Sequence, residues 1–328
     1  MHLHFLLLYM MMTPGIFCIE INRKTNINRG KMVRTPNFLL EYAIDSLLKT
    51  FNPQRKPVMP QSTFFKLMNL LDTRLRNQGV DIELPGYWYQ YGFYIDINFL
   101  DIVLPRKFSE NYMIDNTHVV PPMHPRREYD IAELIKRKID STVHWLWEQY
   151  GYKSNYGTKA KKESYAINAP YEFNTTFQEY IKIVNHKEVG FITRKEELEP
   201  LLDKLLSEFP EKEFSGLYNT YLEWDDTTRL ILDCVPQSKQ DALLQKLMNL
   251  FWETYSKGVR ILHNQNIPKP DIINRWKEDY VKSIPDTLKQ IEDIRKTVLS
   301  AHYKASGEDE GLVKQLMKKA YEMSAGAH

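Results

Sequence analysis

The segment RREYDIAELIKRKIDSTVHWLWEQYG, residues 126–151, carries Arg137, Asp140, His144 and Glu148 at spacings of 3, 4 and 4. On a helix such spacings line side chains along one side. A histidine placed there can take or give a proton at a ribose 2′-hydroxyl, and an arginine can neutralise charge that builds on a phosphorus centre. Asp140, His144 and Glu148 also read as metal ligands, although three groups on one helix need a second helix to enclose an ion. The plainer reading is a solvated face laced by i,i+4 ion pairs.

Three further stretches could do chemistry or bind. Glu223, Asp225, Asp226 and Asp233 in YNTYLEWDDTTRLILD supply the carboxylates a two-metal nuclease needs. Adjacent Asp225 and Asp226 diverge by about 100° on a helix, however, and so form no preformed pair. Lys153, Lys159, Lys161 and Lys162 cluster with Tyr150, Tyr152, Tyr156 and Tyr165 in YGYKSNYGTKAKKESY, whose part after Tyr150 is read as a loop. Basic residues among aromatics can follow a phosphate backbone and stack bases. LPGYWYQYGFY, residues 84–94, has six aromatics in eleven positions and no charge. It reads either as the seam where a short sheet packs on helices or as an exposed platform, with Trp88 and Tyr91 as partner-binding residues. Phosphate-binding Gly-rich loops, a nucleophile elbow and paired CxxC ligands are absent, so no cofactor and no metal are expected.

The elements that must position these groups are mostly helices. Leu39, Leu40, Ala43, Ile44, Leu47 and Leu48 repeat at helical spacing. NPQRKPVMPQ is a connector, and a second helix over 62–77 ends at Gly79. Residues 80–104 predict one or two short strands or a hairpin, including IDINFLDIVL. A long helix over 127–150 places Ile131, Leu134, Ile135, Ile139, Val143, Leu146 and Tyr150 on one face. Further helices are predicted over 174–186 and 215–233. Capping boxes at Thr193/Glu196, Ser238/Asp241 and Ser283/Asp286 each open another, and a last one covers 311–323. The expected fold is mainly α with a minor β element, divided into an extension, 1–31, and two helical domains, 32–125 and 126–328.

KLMNLLDTRLRNQGVDIELPGYWYQYGFYID resembles Panacea-type antitoxin domains and related uncharacterised prokaryotic proteins. Lys66, Leu67, Leu70, Leu71, Asp72, Gly79, Tyr91 and Gly92 carry the resemblance. Phe93 departs from it, standing where a proline is expected after Tyr-Gly. The resemblance implies a small helical domain that binds another macromolecule and has no chemistry of its own. The Arg137-to-His144 spacing in turn resembles the motif of the all-helical HEPN ribonucleases, with the two residues in the roles described above.

Composition adds boundaries. The chain has 328 residues, a net charge of +2 and 13 glycines, so binding to nucleic acid must come from a local patch such as the lysine loop. Cys18 and Cys234 stand outside any pairing pattern, which fits a reducing cytoplasm. MHLHFLLLYMMMTPGIFC has an apolar run of about ten residues, too short to span a bilayer. It reads as a signal-like core, as an extension ahead of a true start at Met32, or as a structured segment. The resulting expectation is a non-enzymatic, cytoplasmic interaction protein with a protein partner, and the alternative is a helical ribonuclease using Arg137 and His144.

Overall fold

The computed structural model describes residues 36–55, 58–123, 129–151, 156–185, 194–306 and 317. Helix α1 (Phe38–Phe51) opens where the Asn37 carboxamide accepts from the Leu40 amide at 2.8 Å, and the same side chain donates to the Ile82 carbonyl. Leu40, Ala43, Ile44, Leu47 and Leu48 of its apolar stripe are fully buried. Strand β1 (Met59–Pro60) leads into α2 (Gln61–Arg76), which stops at Gly79, where φ is +73°. Strands β2 (Gly86–Tyr89) and β3 (Gly92–Tyr94) form a hairpin around Gln90 and Tyr91. Helices α3 (Ile97–Val103) and α4 (Phe108–Asn111) follow, then β4 (His118–Val119), which pairs antiparallel with β1.

Helix α5 (Glu133–Leu146) continues as a wide turn over Trp147–Gly151. Helices α6 (Tyr156–Asn168), α7 (Glu172–Asn185) and α8 (Arg194–Glu208) come next. After a short turn, α9 (Tyr218–Cys234) and α10 (Gln237–Leu262) pack together, with Phe251 of α10 stacked on Trp224 of α9 at 5.1 Å. Strand β5 (Asn264–Gln265) then pairs antiparallel with β2, giving the sheet order β3-β2-β5. Helix α11 (Asp271–Ser306) lies on α9 and α10. The fold is mainly α with a minor β element, as the sequence predicts.

Several elements differ from the sequence reading. IDINFLDIVL contains α3 and no strand. The Asp96 carboxylate accepts from the Asn98 amide at 2.9 Å and caps the helix, and Ile97, Leu100 and Val103 recur at intervals of three. The long helix expected over 127–150 begins at Glu133, and Leu134 is exposed where a core position was expected. The lysine segment is largely α6. Ser238 lies inside α10, behind Pro236. Ser283 lies inside an unbroken α11, where its hydroxyl donates to the Tyr280 carbonyl at 2.8 Å. Pro285 is thus mid-helix, tolerated on an exposed face. Residues 1–31, Thr193 and the last predicted helix fall outside the described residues, apart from residue 317 in the last. The boundary expected at 125/126 falls inside one continuous core, because α5 packs on α1 and α2 while α6 packs on α2.

Candidate functional site

The aromatic segment sorts its side chains by strand alternation. Trp88 and its cross-strand partner Phe93 point inward, and Trp88 is 4% exposed with its ring edge-on to Tyr165 of α6 at 4.7 Å. Tyr87, paired with Tyr94, lies on the opposite face with Tyr89. Gly86 is required by this packing, since a Cβ there would lie 2.3 Å from the Phe93 ring. On the outer face Tyr87 contacts Tyr94 at 5.3 Å and Trp276 of α11 at 4.7 Å. The Arg260 guanidinium lies 5.4 Å from the Tyr89 ring and 5.0 Å from Trp276, and pairs with Asp279 at 3.1 Å. Tyr91, at the tip, is 75% exposed. Of the two expected partner-binding residues, Tyr91 is therefore on the surface, and Trp88 is a core residue whose ring no partner can stack upon.

The tip is clamped from behind. Lys66 of α2 donates from Nζ to the Tyr91 carbonyl at 2.8 Å and the Phe93 carbonyl at 2.9 Å. The Gln90 carbonyl accepts from Gln178 of α7 at 3.4 Å and from the Trp252 indole of α10 at 3.3 Å. Gly92 adopts φ +96°, and a Cβ there would lie 2.9 Å from Lys66 Nζ. Burial, with a contribution from Lys161, lowers the Lys66 ammonium to about 8. Three helices thus fix the backbone of a turn whose tyrosine faces solvent.

A second polar cluster escaped sequence reasoning. Arg106 donates to Glu41 at 2.6 Å and to Asp45 at 3.2 Å, and the Tyr112 and Tyr129 hydroxyls also donate to Asp45, at 2.8 and 2.9 Å. Glu41 and Asp45 are fully buried, and burial raises both tyrosines well above their ordinary titration. This network ties α1 to the segments following α3 and preceding α5, and offers no open face for substrate. No local spacing signals it, because its members are scattered over almost ninety positions.

The other candidates do not converge. Arg137 and His144 are 75% and 69% exposed, two turns apart on α5, and pair with their own neighbours Glu133 at 3.8 Å and Glu148 at 3.3 Å. Asp140 accepts from Tyr42 and Ser46 of α1 at 2.7 and 2.6 Å. It holds two helices together and does not join His144 and Glu148 around an ion. Among the described residues no group of three potential ligands could hold a metal. Of the acidic run, Glu223 pairs with Arg295 at 2.8 Å, Asp225 with Arg229 at 2.8 Å, and Asp233 with Lys195 at 2.7 Å. Lys159 lies over the Tyr150 ring and pairs with Glu163 at 3.4 Å, while Lys161 and Lys162 are exposed on α6. Lys153 lies outside the described residues. Tyr150 and Tyr165 belong to the core or pack against it, so neither offers an open ring face beside the exposed Lys161 and Lys162.

Comparison with family models, with curated proteins and with solved structures returns no match. Among the described residues no helix is long and apolar enough to cross a membrane.

Proposed function

We propose that this chain is a non-enzymatic regulatory protein of the cytoplasm that binds a protein partner through the tyrosine face of its hairpin, with Tyr91 as the anchor. The observation that carries the reading is the clamp: Lys66, Gln178 and Trp252 hold the carbonyls of residues 90, 91 and 93 while the Tyr91 side chain stands in solvent. A tyrosine on a backbone already fixed loses little freedom on binding, and tyrosine with arginine is the composition of energetic centres in interfaces. Tyr87, Tyr89, Tyr94 and Arg260 extend that composition around the anchor. The antitoxin-type resemblance supports the same reading, since its Lys66 and Gly92 meet in the clamp.

The ribonuclease alternative has no comparable support, because Arg137 and His144 are engaged separately along α5. Nucleic-acid binding at α6 rests on Lys161 and Lys162 among the described residues, a small patch for capturing a phosphate chain. The test is a photo-crosslinking amino acid at position 91 in the producing cells, with the exposed position 206 of α8 as control. A defined protein crosslinked only from position 91 is expected. Equal crosslinking from both positions, or RNA as the captured species, would overturn the reading.

A further inference from the structure

The α6 side of the hairpin tip carries positive charge that nothing in the fold neutralises. A Cβ on Gly92, the residue after Tyr91, would lie 3.2 Å from the Tyr165 ring of α6, so this helix flanks the turn directly. Lys161 and Lys162 precede Tyr165 by four and three positions, the spacings that make side chains neighbours on a helix. Both lysines are exposed, and neither pairs with a carboxylate among the described residues. Glu163, on the same helix, is taken by Lys159 at 3.4 Å and by the Tyr150 hydroxyl. Lys66 adds a third cation from beneath. Its ammonium donates to the Tyr91 and Phe93 carbonyls and to no carboxylate, and Lys161 is close enough to help lower its titration. On the hairpin's outer face, by contrast, Arg260 is neutralised by Asp279 at 3.1 Å.

A molecule seated on Tyr91 meets the edge of this lysine patch. A basic surface would be repelled there and a neutral one would strip water from the lysines with no return, whereas a carboxylate supplies the missing counter-charge. Two exposed lysines are few for following a phosphate backbone, which carries a charge at every nucleotide. The chain's own acidic run, residues 308–310, begins two residues after α11. The far end of that helix lies roughly 45 Å from Trp276, which packs on Tyr87. The counter-charge therefore comes from another molecule.

We infer that the partner surface receiving Tyr91 is acidic, with an aspartate or glutamate beside the tyrosine's contact pairing with Lys161 or Lys162. This rests on the reading of Tyr91 as the anchor and adds the chemistry of what the anchor meets.

The probe is p-benzoylphenylalanine at position 91 of the full chain in the producing cells, with the crosslinked peptide sequenced by mass spectrometry. The stretch around the crosslinked residue is expected to be net negative. Reversing both lysines together, Lys161→Glu with Lys162→Glu, should lower the crosslink yield roughly tenfold or more. Lys161→Arg with Lys162→Arg should preserve it. Lys296→Glu, a reversal at an exposed lysine of α11, controls for net charge and should also preserve it. All three lysines are exposed, and circular dichroism reports that each variant is folded. A neutral or basic captured stretch, a yield that survives the double reversal, or an equal loss in the arginine or Lys296→Glu variants would overturn the inference and leave Tyr91 as the anchor. No protein crosslink from position 91, or RNA in its place, would overturn both.

Discussion

Lys66 sits below its ordinary titration because burial disfavours its charge. Below about pH 8 the amine is charged in both folded and unfolded chains, and the folded state bears the full cost of burying it. Between about 8 and the ordinary 10.5 the unfolded chain binds more protons, so this group adds stability as pH rises, by roughly 3 kcal/mol in all. The stability difference between the wild type and Lys66→Met, from urea unfolding, should therefore shift in the wild type's favour between pH 7.5 and pH 10. A pH-independent difference would mean that the amine titrates normally. Trp88 and Tyr91 make a second pair at this scale. Trp88→Ala should lose about 3–5 kcal/mol, whereas Tyr91→Ala should change stability by less than about 0.5 kcal/mol and abolish co-purification of the partner that position 91 crosslinks. The sequence shows that 84–94 is aromatic and uncharged, and strand alternation explains why it serves both core and surface. Which tyrosine faces out depends on register, set by Gly86 and Gly92 against Phe93 and Lys66, and no composition reveals that.

At the scale of elements, periodicity locates α1, α2, α7 and α9 because each has a long stripe facing one core. It misses α3, whose seven residues also read as an alternating strand until the Asp96 cap is recognised. It also misplaces the start of α11, because Ser283, Pro285 and Asp286 together imitate a helix beginning. That error yields a test. Were Pro285 in a first turn, Pro285→Ala would be nearly neutral. Inside the unbroken α11 the ring removes a helical hydrogen bond, so the replacement should raise stability by about 1–3 kcal/mol in thermal unfolding. The lysine segment misled for a related reason: its glycines suggested a loop, while Ala160 and Ser164 face the core from α6.

Across the whole molecule the two domains expected from the sequence merge. The connection around residues 121–130 has the proline and charge content of a linker, yet α5 and α6 complete the burial of α1 and α2. A fragment spanning 32–125 should therefore unfold without a cooperative transition, and the reciprocal fragment should fare no better. Cooperative melting of either one by circular dichroism would restore the two-domain division. Such long-range completion was illegible because local pattern describes only which face of an element is apolar, and not what covers it.

The pairing of β5 with β2 also bears on the order of events during synthesis. Gln265 reaches back to the Leu84 carbonyl across 181 positions, so the middle strand of the sheet waits for its outer neighbour until most of the chain has left the ribosome. At ordinary elongation rates that interval is roughly ten to forty seconds. Throughout it the hairpin has an unpaired edge, and Trp276, which packs on Tyr87, has not yet been made. A partner that recognises the finished tyrosine surface would thus distinguish completed chains from nascent ones, and the exposed edge marks the window in which chaperone protection matters most.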